Sequence, residues 1–225
     1  MKTIIMDSGE GGYDFIKKMK KTMNIQIQFL KISYKGKIIS EYNKEEVRKY
    51  LLHKINISKK NSRFIIIACH SASSCILDIL IKNNFVINNI NIFEPILPMC
   101  FYIKEKKYKN ILVLSTSLTE KIRWHYRLLN SNNIKVKYIT FPLLPKIIEN
   151  KGKDFNKSFN RLINKKQFLK ICDCVVLGCT HFNVIKSIIS KELKTKYNFN
   201  GVVLDSNEIL LNFFNKSAFQ KCKIN

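Results

Sequence analysis

Two cysteines stand in matching settings. Cys69 lies in Ile66-Ile67-Ala68-Cys69-His70-Ser71 and Cys179 in Val176-Leu177-Gly178-Cys179-Thr180-His181, each an apolar run, a small residue, a thiol and a polar turn. A free thiol titrates near about 8.5 and becomes a base or nucleophile where its surroundings favour the thiolate. Both cysteines fall where a strand is expected to give way to a helix, and the unpaired amides and dipole of a helix start favour an anion. One thiolate and one thiol on opposite sides of a bound molecule would suit inversion at a carbon acid. One sulfur takes the proton and the other delivers one to the opposite face.

The elements that must position them read as short, β-branched apolar runs separated by stretches with helical spacing. The runs are Thr3–Met6, Ile25–Leu30, Phe64–Ala68, Ile111–Leu114, Val136–Ile139, Cys174–Leu177 and Val202–Leu204. Buried strands alternating with helices predict an α/β fold with largely parallel sheet. Ligands of such sheets sit beyond the carboxyl ends of strands, and there the polar residues gather: Asp7-Ser8-Gly9-Glu10-Gly11-Gly12, Cys69-His70-Ser71, Ser115-Thr116-Ser117, Cys179-Thr180-His181 and Asp205-Ser206. The repeated cysteine pattern predicts two pseudo-symmetric lobes with the site between them. The expected boundaries are 1–93 plus 206–225 for the first lobe and 94–205 for the second, with the crossing at Phe93-Glu94-Pro95. The polar stretch from Glu149 to Asn164 reads as a connection between helices.

Composition narrows the classes. The chain has 225 residues, 46% of them hydrophobic, enough for one large core or two small ones. Its apolar runs fall far short of the ~20 residues a membrane span needs. Seven cysteines, an odd number, in a chain too large to need staples predict reduced thiols and a cytoplasmic setting. A formal charge of +24 favours acidic ligands or nucleic acid, yet the basic residues are scattered among Asn and Ile in a manner that also fits AT-biased coding. No RNA-binding signature accompanies them, so specific nucleic-acid binding is not expected. Cys75, Cys100, Cys172, Cys174 and Cys222 read as core residues. A metal site from Cys172, Cys174 and Cys179 is the alternative, but the spacing is not that of the familiar zinc pairs. Asp7 and Ser8 are alternatively a helix cap, His181 a helix-start histidine and Glu149 a solvated carboxylate.

The ordered set of motifs resembles the aspartate/glutamate racemase superfamily, most of all its glutamate racemases, over nearly the whole chain. Asp7-Ser8-Gly9-x-Gly11-Gly12 resembles the family's opening motif, and Ala68-Cys69-His70-Ser71-Ala72-Ser73 its first cysteine loop. Glu94-Pro95 resembles the interlobe pair, and Pro142-Leu143-Leu144 with Glu149 the segment of the acidic helper. Gly178-Cys179-Thr180-His181-Phe182 resembles the second cysteine loop, and Val203-Leu204-Asp205-Ser206 the closing segment. The resemblance implies a cofactor-independent, metal-free isomerase that interconverts L- and D-glutamate for peptidoglycan, and hence for cell wall and cell shape. It implies that Cys69 deprotonates the D-enantiomer and Cys179 the L-enantiomer, with Asp7 assisting the first and His181 and Glu149 the second. It assigns substrate contacts to Asp7, Ser8, Tyr34, Gly36, His70, Ser71, Thr180 and His181. A homodimer is compatible with it. The rival readings are an aspartate racemase, or a decayed racemase kept as a basic nucleic-acid- or partner-binding protein.

Three departures stand out. His70 replaces the family's asparagine, and an imidazolium there would favour the Cys69 thiolate while repelling a substrate ammonium. The loop that offers a Tyr-Gly pair is shortened to Ser33-Tyr34-Lys35-Gly36, and the chain is shorter than usual for the family.

Overall fold

A computed structural model describes residues 2–33, 39–58, 62–130, 133–149, 159 and 167–222. The isoleucine- and valine-rich runs form two sheets. The first has the order β2-β1-β3-β5-β4, from β1 (Lys2–Asp7), β2 (Gln26–Lys31), β3 (Phe64–Ile67), β4 (Val86–Ile87) and β5 (Ile90–Phe93). The second has the order β7-β6-β8-β9, from β6 (Asn110–Ser115), β7 (Lys135–Thr140), β8 (Cys174–Gly178) and β9 (Val202–Leu204). Every pairing is parallel except the β4–β5 hairpin. Helices cover the sheets, so the central strands β3 and β8 are buried along their whole length.

The two sheets repeat one topology. Chain order runs outward from β1 to β2 and then crosses to β3, just as it runs from β6 to β7 and then crosses to β8. A crevice opens at such a switch point, where neighbouring strands send their connections to opposite sides. In the first lobe the crevice lies between the ends of β1 and β3, where Met6 pairs with Ile67. In the second it lies between β6 and β8, where Ser115 pairs with Gly178. Asp7 and Cys69 leave the first crevice, Thr116 and Cys179 the second.

The helices that carry these turns are α1 (Glu10–Thr22), α2 (Lys44–Ser58), α3 (His70–Lys82), α4 (Ile96–Glu105), α5 (Ser117–Ile122), α6 (Trp124–Leu129), α7 (Leu144–Glu149), α8 (Thr180–Val184), α9 (Lys186–Tyr197) and α10 (Ser206–Cys222). Asp205 starts α10, its Oδ1 accepting the Asn207 and Glu208 amides at 2.8 and 3.2 Å. The chain then returns to the first sheet: Leu210, Leu211 and Phe214 pack with Ile5, Phe15, Phe64 and Phe93. The Phe214 ring meets Phe64 and Phe93 edge-on at 5.6 and 4.9 Å. Among the described residues, no helix is long and apolar enough to cross a membrane.

All seven expected strand runs are strands, with ends shifted by at most one residue. The β4–β5 hairpin was not expected. Asn88 and Asn89 form its two-residue turn with φ of 51° and 64°, a conformation asparagine tolerates better than most residues. Most of the connection after Glu149 lies outside the described residues, as do Tyr34 and Gly36.

The lobes touch through α1 and α8, and glycine is what lets them. A Cβ at Gly11 would overlap the backbone and side chain of Thr180, and one at Gly12 would come within 2.5 Å of the Asp7 Cβ and 2.7 Å of the Phe29 ring. Neither glycine is needed for a left-handed backbone; both are needed for space. Gly11→Ala is therefore expected to destabilise the fold by about 1–3 kcal/mol through overpacking. Urea unfolding measures this, and an unshifted midpoint would show that the lobes do not meet there.

Candidate active site

Each cysteine stands at the N-cap of the helix that follows its strand. Cys69 precedes α3 with φ −65° and ψ 117°, and Cys179 precedes α8 with φ −158° and ψ 134°. Both side chains are buried. Cys69 Sγ lies 3.6 Å from the Ser8 hydroxyl, and a charge on Cys179 is close enough to raise the Cys69 thiol. The two sulfurs thus share one electrostatic environment across the lobes.

Their partners differ. Burial first, and then the Asp7 carboxylate, push the Cys69 thiol far above its ordinary range, so the helix start alone does not supply a resting thiolate there. This corrects the expectation drawn from the helix dipole: desolvation outweighs it. Asp7 is itself fully buried and its carboxyl is raised by desolvation, with the His181 charge and the Gly9 amide pulling partly back. Gly9 N–H donates to Asp7 Oδ1 at 3.0 Å, while Oδ2 has no hydrogen-bond partner among the described residues. One carboxyl oxygen is fixed and the other is free to exchange a proton.

Around Cys179 a histidine–carboxylate pair replaces the lone carboxyl. His181 Nδ1 lies 3.7 Å from Cys179 Sγ, and Nε2 lies 2.9 Å from Glu149 Oε1. Burial alone would lower this imidazole, but the contacts with Cys179 and Glu149 reverse the sign and lift it to about 10. Glu149, held below the usual carboxylate range chiefly by that hydrogen bond, is its counter-ion. Gly9 leaves room for the pair, since a Cβ there would overlap Glu149 Oε1 and come within 2.7 Å of His181 Nε2. The opening motif of the first lobe therefore holds Asp7 on one side and abuts the His181–Glu149 pair on the other.

Hydroxyls line the seam. Ser71 Oγ lies 2.7 Å from Thr116 Oγ1 and 3.4 Å from Thr119 Oγ1, which are 3.2 Å from each other. Thr180 Oγ1 is buried without a well-formed hydrogen bond among the described residues, yet it lies close enough to the Asp7 carboxyl to lower it. Thr119 was missed by sequence reasoning; the helical spacing from Thr116 was the signal that could have found it. His125 was missed as well, and no sequence signal marks it.

His70 is not the imidazolium considered from sequence. It is buried and stacked at 5.8 Å and 12° on His125, itself buried. Desolvation first, then the neighbouring His125, hold its ring well below the ordinary histidine value, and burial holds His125 at about 4. Both rings are neutral at neutral pH, so neither promotes the Cys69 thiolate by charge nor repels an ammonium. Cys75, Cys100, Cys172 and Cys174 are buried in the apolar cores, and the Cys222 side chain lies outside the described residues. Cys172 Sγ donates to the Cys174 carbonyl at 3.0 Å. Among the described residues, no group of three His, Cys, Asp or Glu side chains is arranged to hold a metal ion.

Comparison with known proteins gives this geometry a family. A glutamate racemase from Fusobacterium nucleatum is 30% identical over 200 residues, spanning 85% of this chain and 74% of that protein. The chain belongs to the glutamate racemase family. No family model matches it. The fold is that of a glutamate racemase isoform from Bacillus anthracis, with a TM-score of 0.82 at 20% identity over 97% of this chain and 82% of that one. An aspartate racemase from Picrophilus torridus shares the fold at a TM-score of 0.68 and 20% identity, over 96% of this chain and 93% of that one. The two parallel-sheet α/β lobes flanked by helices match the fold of these racemases.

The His181–Glu149 pair makes a pH signature. A group raised in the folded state contributes stability in full below its unfolded value, about 6.5 for histidine, and loses it as pH rises through about 10. A carboxylate held low contributes above its unfolded value, about 4.3, and loses that as pH falls. The stability gap between the parent and Glu149→Gln is expected to be widest between about pH 5 and 6.5 and to shrink toward both extremes. Denaturant titrations across pH measure it, and a gap unchanged from pH 6 to 10 would refute the charged pair.

Proposed function

We propose that this protein is a glutamate racemase that inverts Cα by two-base proton transfer between Cys69 and Cys179, needing no cofactor. The observation that carries the reading is the pairing of two strand-end cysteines, at equivalent switch points of two lobes, each with its own proton-handling neighbour. Cys69 has Asp7 and Ser8; Cys179 has His181 backed by Glu149. Membership of the family supports glutamate as the substrate over aspartate, since the relatives at this level of identity carry that name.

In this reading Cys69 takes the proton of D-glutamate and Cys179 that of L-glutamate. A buried, uncharged Cys69 needs an incoming cation to become a thiolate, and the substrate's ammonium is that cation. Asp7, a stronger base for being buried, accepts the thiol proton in its ionised form through Oδ2. On the other side the proton moves between Cys179 Sγ and His181 Nδ1, with Glu149 holding the imidazolium. Ser8, Ser71, Thr180 and the turn amides receive the carboxylates, with Thr116 and Thr119 reaching in from the second lobe. His70 shapes the pocket wall as a neutral ring, while substrate contacts at Tyr34 and Gly36 rest on the resemblance alone. The product supplies D-glutamate to peptidoglycan in the cytoplasm. The lobes divide at 1–93 plus 206–225 and 94–205, a division supported by the packing of α10 on the first sheet.

Chiral analysis after incubation with L- or D-glutamate, with L-aspartate alongside, tests the activity. Deuterated solvent should label the product at Cα, because the proton delivered comes from the opposite thiol. Cys69→Ala and Cys179→Ala are each expected to lower racemisation by at least about 10²–10⁴-fold. A Cys179→Ala variant working near the parent rate would sink the assignment.

A further inference from the structure

Two histidines meet where the lobes join. His70 opens α3 of the first lobe, and His125 lies in α6 of the second, next to Trp124. Their rings stack at 5.8 Å and 12°, both are buried, and all four ring nitrogens lack a well-formed hydrogen bond among the described residues. A neutral imidazole has one donor and one acceptor to satisfy, so ring contact and not polar pairing holds the two together. A second tie joins the same helices one turn further along α3, where Trp124 Nε1 donates to the Ser74 carbonyl at 2.9 Å. This junction borders the catalytic seam on both sides. His70 directly follows Cys69, and Ser71 after it meets Thr116 and Thr119; α6 follows α5, which carries Thr119, after a single residue. Parting the rings therefore draws the Cys69 turn and the Ser71 hydroxyl away from the second lobe.

The packed elements bring no counter-ion to either ring. From β7, Tyr138 meets His125 edge-on at 6.4 Å with its phenol raised by burial, and from α4 the Cys100 thiol is raised as well. Cys69, beside His70, is a neutral thiol for the same reason. The carboxylates are committed elsewhere: Asp78, further along α3, serves Lys44 and Arg48 of α2, Glu120 of α5 is bonded to the Thr140 hydroxyl, and Glu41 pairs with Lys146. On the α6 side Arg123 lies over the Tyr138 ring and Arg127 over the Trp124 ring. β3 contributes apolar side chains. Burial holds His125 at about 4, and burial with His125 holds His70 low, so no carboxylate offsets the cost of a charge on either ring. Protonating one ring buries an unpaired charge, and protonating both sets like charges face to face.

We propose that His125 is a positioning residue for proton transfer at Cys69: through the His70 ring it holds the Cys69 turn against the second lobe, and acid releases that hold. The link to racemisation rests on the reading of Cys69 as a base; the hold itself does not. The stacked pair refuses protons that parted, hydrated rings accept, so acid favours parting. The effect begins as pH falls below about 6.5, grows by up to about tenfold per pH unit for each ring, and ends once the stacked rings titrate too, at about 4 for His125.

Trp124 is the chain's one tryptophan, so its fluorescence reports on this junction. Emission of the full chain is followed from about pH 7.5 down to about 4 beside far-UV circular dichroism, with kcat/KM for D-glutamate measured over the same range. In the parent, emission and kcat/KM are expected to change together, more steeply than one proton allows, while helix content holds. His125→Phe keeps a ring that cannot titrate. It is expected to leave a one-proton dependence with its midpoint lower by about one pH unit or more. His125→Ala, with no ring, is expected to lower kcat/KM at neutral pH by about tenfold or more, and His125→Phe to restore most of it. Curves that coincide for parent and His125→Phe, or an unaltered kcat/KM in His125→Ala, overturn the proposal. So does a ring-proton NMR signal of His70 or His125 that titrates near about 6.5 in the native parent, a measurement that needs no variant to fold. A parent without racemase activity at any pH would remove the two-cysteine reading, while fluorescence and NMR would still decide whether acid parts the rings.

Discussion

The structure depends on one close approach. The turn after β1 and the start of α1 must lie directly on the turn after β8 and the start of α8, and glycines at 9 and 11 permit it. Without that approach Asp7 would not feel the His181 charge, and the two lobes would present separate crevices. Side networks hold the contact in place. Asn207 Nδ2 donates to the Gly11 carbonyl at 3.4 Å and Asp14 Oδ2 at 3.3 Å; Asn183 donates to Ser206 Oγ at 2.9 Å, which donates to the Leu177 carbonyl at 3.0 Å. Lys18 ties α1 to Asp205 at 2.7 Å. The end of β9 and the first turn of α10 thereby clamp α1 from one lobe and α8 from the other.

This clamp explains why polar groups can be buried so densely at the seam. An unpaired buried polar atom costs about 1–3 kcal/mol, and among the described residues Asp7 Oδ2, Thr180 Oγ1 and both nitrogens of His70 lack a well-formed hydrogen bond. Fully apolar strands behind them and the aromatic cluster around Phe214 supply the compensating burial. Unpartnered buried atoms occur elsewhere among the described residues too, Thr3 Oγ1 on β1 and Ser74 Oγ on α3 among them, but the seam gathers several in one place. Such a gathering is expected where polar groups are reserved for a ligand rather than for the fold.

Much of this was legible in the residues. β-branched runs gave away the central strands because both their faces are buried, and the polar residues after each run marked the crevices before any sheet order was known. The order itself, with β1 and β6 each flanked by later strands, is a tertiary fact that no local pattern encodes. The β4–β5 hairpin escaped because its strands are short and its turn uses two asparagines in place of glycine. The pairing of Glu149 with His181 was not legible, because it depends on α7 lying beside α8 after a long excursion of the chain. The state of Cys69 was misjudged for a physical reason: the helix-start argument counts a favourable dipole but not the burial that accompanies a dry seam. His70 followed the same rule, since sequence cannot show that a second histidine lies flat against it.

The two halves of the site differ in a way that bears on how a racemase with equal access to both enantiomers would work. In the proposed reading, one thiol answers to a carboxyl raised toward neutrality and the other to an imidazole raised toward permanent charge. The pseudo-symmetry of the fold therefore ends at the strand tips, and the chemistry is balanced by unlike means. A carboxyl whose desolvation lifts it and an imidazole whose anionic neighbours lift it both move toward holding a proton, each for the sulfur beside it. The free site thus offers a strengthened base beside Cys69 and a held proton beside Cys179. A bound ammonium, placed between them, is what tips one sulfur toward the thiolate. In the proposed reading, catalysis at Cys69 waits on the substrate's own charge, which keeps that buried thiol unreactive until a ligand with that charge is present.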